Sequence, residues 1–228
     1  MIIELEVIAT SVQDAVQAQS AGAHRIELVQ AIELGGLTPS VGLVRAVKAA
    51  CGLPLIAMIR NRAGCFEVSA AEFEVMLADV DSLREAGADG FAFGVLNASG
   101  TIDFGRARRL VAAAEGRETV FHRAFDSTPD ALAALDVCVE VGCTRILTSG
   151  HAPSALEGAE KLRNLQSRAA GRIQVLAGGK VRPANAAEIV RRSGVHRLHA
   201  GLLTTTERGP ELDSQAVKAL LASVATGP

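Results

Sequence analysis

The sequence predicts a (β/α)8 barrel, and three observations predict it. Short β-forming runs alternate with alanine-rich helical stretches along the whole chain of 228 residues. Several helical stretches close on a glycine directly before the next β-run. Several β-runs end in ionisable residues where a strand meant only to pack would end in turn residues.

The first strand is expected at about 3–9, where Glu4 and Glu6 alternate with apolar neighbours, followed by a helix at 12–21 that ends in Ala21-Gly22-Ala23. A second strand at 25–29 leads to a helix at 40–50, and a third strand at 55–60 to a helix at 70–86. Ser69 and Glu72 form a Ser-x-x-Glu capping box at the start of that helix, and Ala86-Gly87-Ala88 ends it. The pattern continues with a strand at 90–95 and a helix at 104–114, then a strand at 119–123 and a helix at 129–141 that closes on Gly142. A strand at 145–148 precedes a helix at 154–169, and a strand at 173–177 precedes a helix at 183–192, where Pro183 suits a first helical turn. The last strand is expected at 196–200 and the last helix at 214–222, with Asp213 as its cap. Strict alternation implies a parallel sheet. Eight units match a single TIM-barrel domain over 1–228, a little shorter than the typical ~250 residues. A doubly wound open sheet is the alternative, but no Gly-x-Gly-x-x-Gly follows the first strand.

A barrel places its active site at the C-terminal ends of its strands. There the sequence offers Glu4 and Glu6, Glu27, Arg60 with Arg62, then His122, Arg123 and Asp126, then Ser149, then Gly178 and Gly179 before Lys180, and finally His199 and Gly201. One reading is an ion-pair ring, in which Arg60 satisfies Glu6 or Glu27. The other is a polar pocket for a small ligand, with Glu6, Glu27, Asp126 and His122 available for proton transfer.

Composition narrows the partners. Hydrophobic residues make up 49% and charged residues 21%, enough to bury a large core. A formal net charge of -2 and the absence of Trp and Tyr argue against nucleic acid and anionic membrane as partners. No basic stretch followed by an apolar run opens the chain and no run spans a bilayer, so a cytoplasmic location is expected. The four cysteines, Cys51, Cys65, Cys138 and Cys143, form no Cys-x-x-Cys pair and are expected as reduced thiols. Alanine- and valine-rich outer helices suggest a homo-oligomer, with a dimer as the default.

Five segments occur in order: Glu27-Leu28; Glu33-Leu34-Gly35-Gly36-Leu37-Thr38-Pro39-Ser40; Ile59-Arg60-Asn61-Arg62-Ala63-Gly64; Phe121-His122-Arg123-Ala124-Phe125-Asp126; and Leu147-Thr148-Ser149-Gly150. Together they resemble the copper homeostasis protein CutC family. The resemblance implies a (β/α)8 barrel, a cytosolic location and Cu(I) binding. It assigns Glu6, Glu27, Arg60, Arg62, His122, Arg123, Asp126 and Ser149 to a shared pocket. Members of that family can carry cysteines just after the first-strand glutamate and at the end of strand two. Here those places hold Ile8, Ala9 and Val29. Cu(I) prefers soft sulfur ligands, so Cys65 with His122 is the one metal-binding pair to name, and weak Cu(I) binding through a single thiol is expected.

The reading from a different class is an isomerase or lyase acting on a small anionic or phosphorylated metabolite. Glu6 or Glu27 would be its base, His122 its acid, and Arg60 and Arg123 its anion clamps. Gly178, Gly179 and Gly201 would let backbone N–H groups approach a phosphate after strands seven and eight. A non-catalytic sensor or scaffold is the third reading.

Overall fold

The computed structural model describes residues 3–207 and 209–225. Eight parallel strands close in sequence order into a barrel: β1 (Glu4–Ala9), β2 (Arg25–Leu28), β3 (Leu55–Met58), β4 (Gly90–Phe93), β5 (Glu118–Phe121), β6 (Arg145–Thr148), β7 (Gln174–Ala177) and β8 (Arg197–Ala200). Eight helices surround it: α1 (Val12–Ser20), α2 (Val41–Ala50), α3 (Ala70–Glu85), α4 (Phe104–Ala113), α5 (Ala131–Val141), α6 (Ala159–Ala169), α7 (Ala186–Ser193) and α8 (Ser214–Ala225). This is the (β/α)8 fold that the alternation predicts. Among the described residues no helix is long and apolar enough to cross a membrane.

The local signals act as their chemistry suggests. Ser69 Oγ accepts from the Glu72 amide while the Glu72 carboxylate accepts from the Ser69 amide, the reciprocal capping box. Asp213 Oδ1 accepts from the amides of Gln215 and Ala216. Gly142 and Gly194 end α5 and α7 at φ 92 and φ 71, a left-handed conformation that costs glycine nothing.

Several boundaries differ from expectation, and three of them have a local cause. Helix α7 starts at Ala186 rather than at 183, because Asn185 Oδ1 accepts from the Arg182 amide and holds a turn there. Helix α6 starts at Ala159 rather than at 154, since Ser154 Oγ bonds the Glu157 amide and carboxylate in a separate turn. Strand β5 stops at Phe121, and a short helical turn, Arg123–Ser127, follows because His122 Nδ1 caps it through the Ala124 amide. The antiparallel hairpin β9 (Leu203–Thr206) and β10 (Gly209–Leu212), which follows β8, was not expected from the sequence.

Two apolar clusters hold the barrel. The larger fills the layer between strands and helices, with Phe73, Phe91, Phe93, Phe121 and Phe125 fully buried. The smaller plugs the barrel interior with Val29, Ile56, Met58, Ala92, Val120, Leu147 and Leu176. Beneath this plug, at the strand N-termini, Glu4, Arg25, Glu118, Arg145 and Arg197 make a ring of ion pairs. Glu4, expected beside Glu6 at the C-terminal rim, lies here because it is the first residue of β1, and the ion-pair ring expected around Arg60 is not at that rim. It forms instead from the first residues of five strands.

Candidate functional site

The C-terminal rim opens into a cavity of about 280 Å³. Of the residues selected from the sequence, Glu27, Arg60, His122, Arg123, Gly179 and Gly201 line it together. They are joined by Ile8, Met58, Phe66 and Leu147, and by three polar residues: Lys180, Arg182 and His199.

Parallel pairing explains the acidic floor. Register places Glu6 beside Arg25 on β2 and beside His199 on β8, while Glu27 pairs with Ile8. Glu6, 1% exposed, lies just below the cavity and uses both oxygens: Arg25 Nε donates to Oε2 at 2.6 Å, and His199 Nδ1 meets Oε1 at 2.7 Å. Burial alone would protonate Glu6, but Arg25, His199 and Arg145 outweigh it and bring its pKa down to about 2. Glu27 has no guanidinium in contact. Its Oε2 is 3.8 Å from His199 Nε2, and its Oε1 has no hydrogen-bond partner. Burial, reinforced by the Glu6 charge, raises Glu27 from 4.5 to about 7. Burial opposes charge on His199, yet Glu27 and Glu6 prevail and raise its pKa.

His122 behaves in the opposite way. Burial, aided by the charges of Arg60 and Arg123, lowers it to about 3, so the ring is neutral near pH 7. Its Nδ1 accepts from the Ala124 amide at 3.1 Å, which assigns the proton to Nε2. Gly94 makes room for this ring: a Cβ there would lie 2.5 Å from His122 Nδ1.

The walls above are cationic. Arg60 stacks over Phe66 at 5.3 Å and donates to the carbonyls of Leu34, Gly35 and Gly64 at 3.2, 3.3 and 3.1 Å. It ties the loops after β2 and β3 together instead of pairing with Glu6 or Glu27. Arg123 is oriented by Asp126 and donates to Ser149 Oγ at 3.1 Å. Among the described residues, Arg60, Lys180 and Arg182 make no ion pair with a carboxylate. Four cations therefore surround the mouth, against one lining acid.

Other selected residues lie outside the lining. Asp126 accepts from Arg123, Thr148 Oγ1 and the amides of Ser149 and His151, which leaves it engaged beneath Arg123. Ser149 Oγ donates to the Ala152 carbonyl at 2.6 Å. Arg62 turns to Glu72 and to the carbonyls of Ala63 and Glu67. A Cβ at Gly178 would meet Leu147 Cδ1 at 2.6 Å, so this glycine serves close packing. The contacts of Cys65 Sγ run to Arg62 and the Glu67 carbonyl rather than to His122. Cys51, Cys138 and Cys143 are buried. The described donor set with metal-like spacing is Glu6, Glu27 and His199, whose ligating atoms lie within 4.8 Å of one another. These are oxygen and imidazole donors, unlike the soft sulfur that Cu(I) prefers.

Arg25 was not among the residues expected in the site, and His199 was expected there only as a strand end. The period of two did carry a signal for Arg25, since it shares a strand face with Glu27.

A sequence profile described as the CutC family matches residues 3–204. A curated relative named as a CutC family protein, from Treponema denticola, is 45% identical over 205 residues, covering 90% of this chain and 83% of the relative. A crystal structure described as the putative copper homeostasis protein CutC from Streptococcus agalactiae superposes with a TM-score of 0.83 at 30% identity, covering 87% of this chain and 98% of that one. Phosphoribosyl anthranilate isomerase from Thermus thermophilus superposes with a TM-score of 0.65 at 14% identity, covering 98% and 99%, a likeness of fold alone.

Proposed function

The chain belongs to the CutC family, and from that footing we propose that it is an enzyme that moves a proton on a small anionic molecule bearing a carbonyl or hydroxyl group. The observation that carries this reading is Glu27: a buried carboxyl facing the cavity with a pKa near 7 and one oxygen without a partner. A group that gains and loses its proton near neutral pH is suited to general acid–base work. The neutral His122 ring holds its proton at Nε2 and would donate to an oxygen on which negative charge develops. Arg60, Arg123, Lys180 and Arg182 would hold the anionic end of the substrate. His199, kept basic by Glu27 and Glu6, is a second proton carrier beside Glu27.

Copper binding is the reading suggested by the name of the Streptococcus agalactiae structure. The donors here do not suit Cu(I). The cavity offers the Met58 thioether and two imidazoles but no thiol among its lining residues, and Cys65 is exposed beside Arg62. Any Cu(I) binding is therefore expected to be weak and to depend on Cys65.

The test is proton exchange in deuterated water. A panel of α-oxo acids and phosphorylated hydroxy-ketones is screened by thermal shift, and stabilising compounds are followed by proton NMR for loss of signal next to the carbonyl. At least one compound should exchange, and Glu27→Gln should slow it by at least about a hundredfold with binding retained. If no anion stabilises the protein, and Cu(I) competes well against a chelator even in Cys65→Ser, the enzyme reading fails.

A further inference from the structure

A second cavity, about 640 Å³, opens beside the first. The two share Ile8 and Gly201 in their linings, so they meet at the top of β1 and the end of β8. One wall of the second cavity is the turn Ile32–Leu34 after β2. The other is the hairpin β9–β10, which contributes Leu203, Thr205 and Pro210. Its chemistry contrasts with that of its neighbour. Ile8, Ile32, Leu203 and Pro210 are apolar, and among the described residues its one charged lining residue is Glu33 and no cation lines it. Ile8 and Ile32 are half-buried and pack on the apolar plug inside the barrel, so the floor of the cleft continues that plug. The junction is narrow. Ile8 Cδ1 lies against Gly201, 3.2 Å from where a Cβ would stand, so a ligand that crosses from one cavity to the other turns the Ile8 side chain aside.

Resting on the acid–base reading above, we infer that the ligand is amphipathic: its anionic, reacting end lies in the barrel cavity, and an aliphatic arm passes Gly201 into the cleft between Ile32 and Leu203. A second anion would be poorly placed there, next to Glu33 and without a counter-charge among the described residues. An aliphatic arm removes apolar surface from water on both sides. The molecule is thus expected to be an acid or phosphorylated compound with a chain beyond its functional head, not a compact metabolite of three or four carbons.

Chain length is the experimental variable. Straight-chain α-oxo acids from pyruvate to α-oxooctanoate are titrated into the full chain by isothermal calorimetry. Each added methylene should tighten binding by up to about fourfold until the cleft is filled. Ile32→Ser and Leu203→Ser should flatten that rise and leave the affinity for pyruvate unchanged. If pyruvate binds and the longer acids bind no tighter, or if both variants keep the full rise, the arm does not lie in this cleft and the inference is overturned, while the head site stands. If no member of the series binds, the inference is overturned, whereas the acid–base reading falls only if the phosphorylated hydroxy-ketones of the wider panel also fail to bind.

Discussion

Replacing Glu27 by glutamine separates its role in the site from any role in stability, because the two should move in opposite directions. Burial lifts this carboxyl from 4.5 to about 7. At about 1.4 kcal/mol per pH unit, holding its charge inside the barrel costs on the order of 3 kcal/mol. The sign follows from proton counts. Between these pH values the folded protein keeps a proton that the unfolded chain has released, so stability contributed at low pH is lost as pH rises through 7. Glutamine has the same shape and does not titrate. Glu27→Gln should therefore differ little from the parent near pH 5 and be more stable by about 2–3 kcal/mol near pH 8. In a chain of this length that is a rise in melting temperature on the order of 10 °C. The assay is thermal and urea unfolding of both proteins by circular dichroism across that range at fixed ionic strength. A gap that does not change with pH would mean that Glu27 titrates as an ordinary carboxylate. A variant less stable at pH 8 would mean that its charge is a structural partner of His199. Either result would refute the reasoning.

Two further substitutions test the supports of the site. Arg25→Met leaves Glu6 without the guanidinium at 2.6 Å and Glu118 without another at 2.6 Å, and Arg25 is 3% exposed. Urea unfolding should show a loss of about 3–5 kcal/mol, and a loss below about 1 kcal/mol would mean that water already compensates these charges. Gly94→Ala would set a Cβ 2.5 Å from His122 Nδ1 and 2.6 Å from Ala124 Cβ, forcing the ring out of its place. Overpacking of this kind costs about 1–3 kcal/mol and should also abolish anion-induced thermal stabilisation. A variant that melts like the parent and binds normally would show that His122 does not need this position.

Much of the architecture was legible before any coordinates. Alternation of period-two and helical segments, with glycines at 22, 87, 142 and 194, specifies eight strand–helix units, and all four glycines have positive φ. These are local signals, and local backbone chemistry realises them. The alternation within a strand also shows that Glu4 and Glu6, or Arg25 and Glu27, share a face. It does not say at what height in the barrel those side chains meet residues from other strands. Asp126 illustrates the limit: its place three residues after Arg123 suggested a rim acid, and the fold spends its oxygens on Thr148 and two backbone amides.

By itself, then, the chain determined its alternation of elements and the inward faces of its strands, because those depend on residues a few positions apart. Only closure of the barrel decided which inward residues share a level. It brings His199 against Glu6 across 193 positions of sequence, sets Arg25 against Glu6, and leaves Glu27 without a guanidinium in contact and with one oxygen unpartnered. The physical reason is that register and stagger are properties of paired strands, and a carboxylate's charge state depends on which partners that stagger brings within a few ångströms.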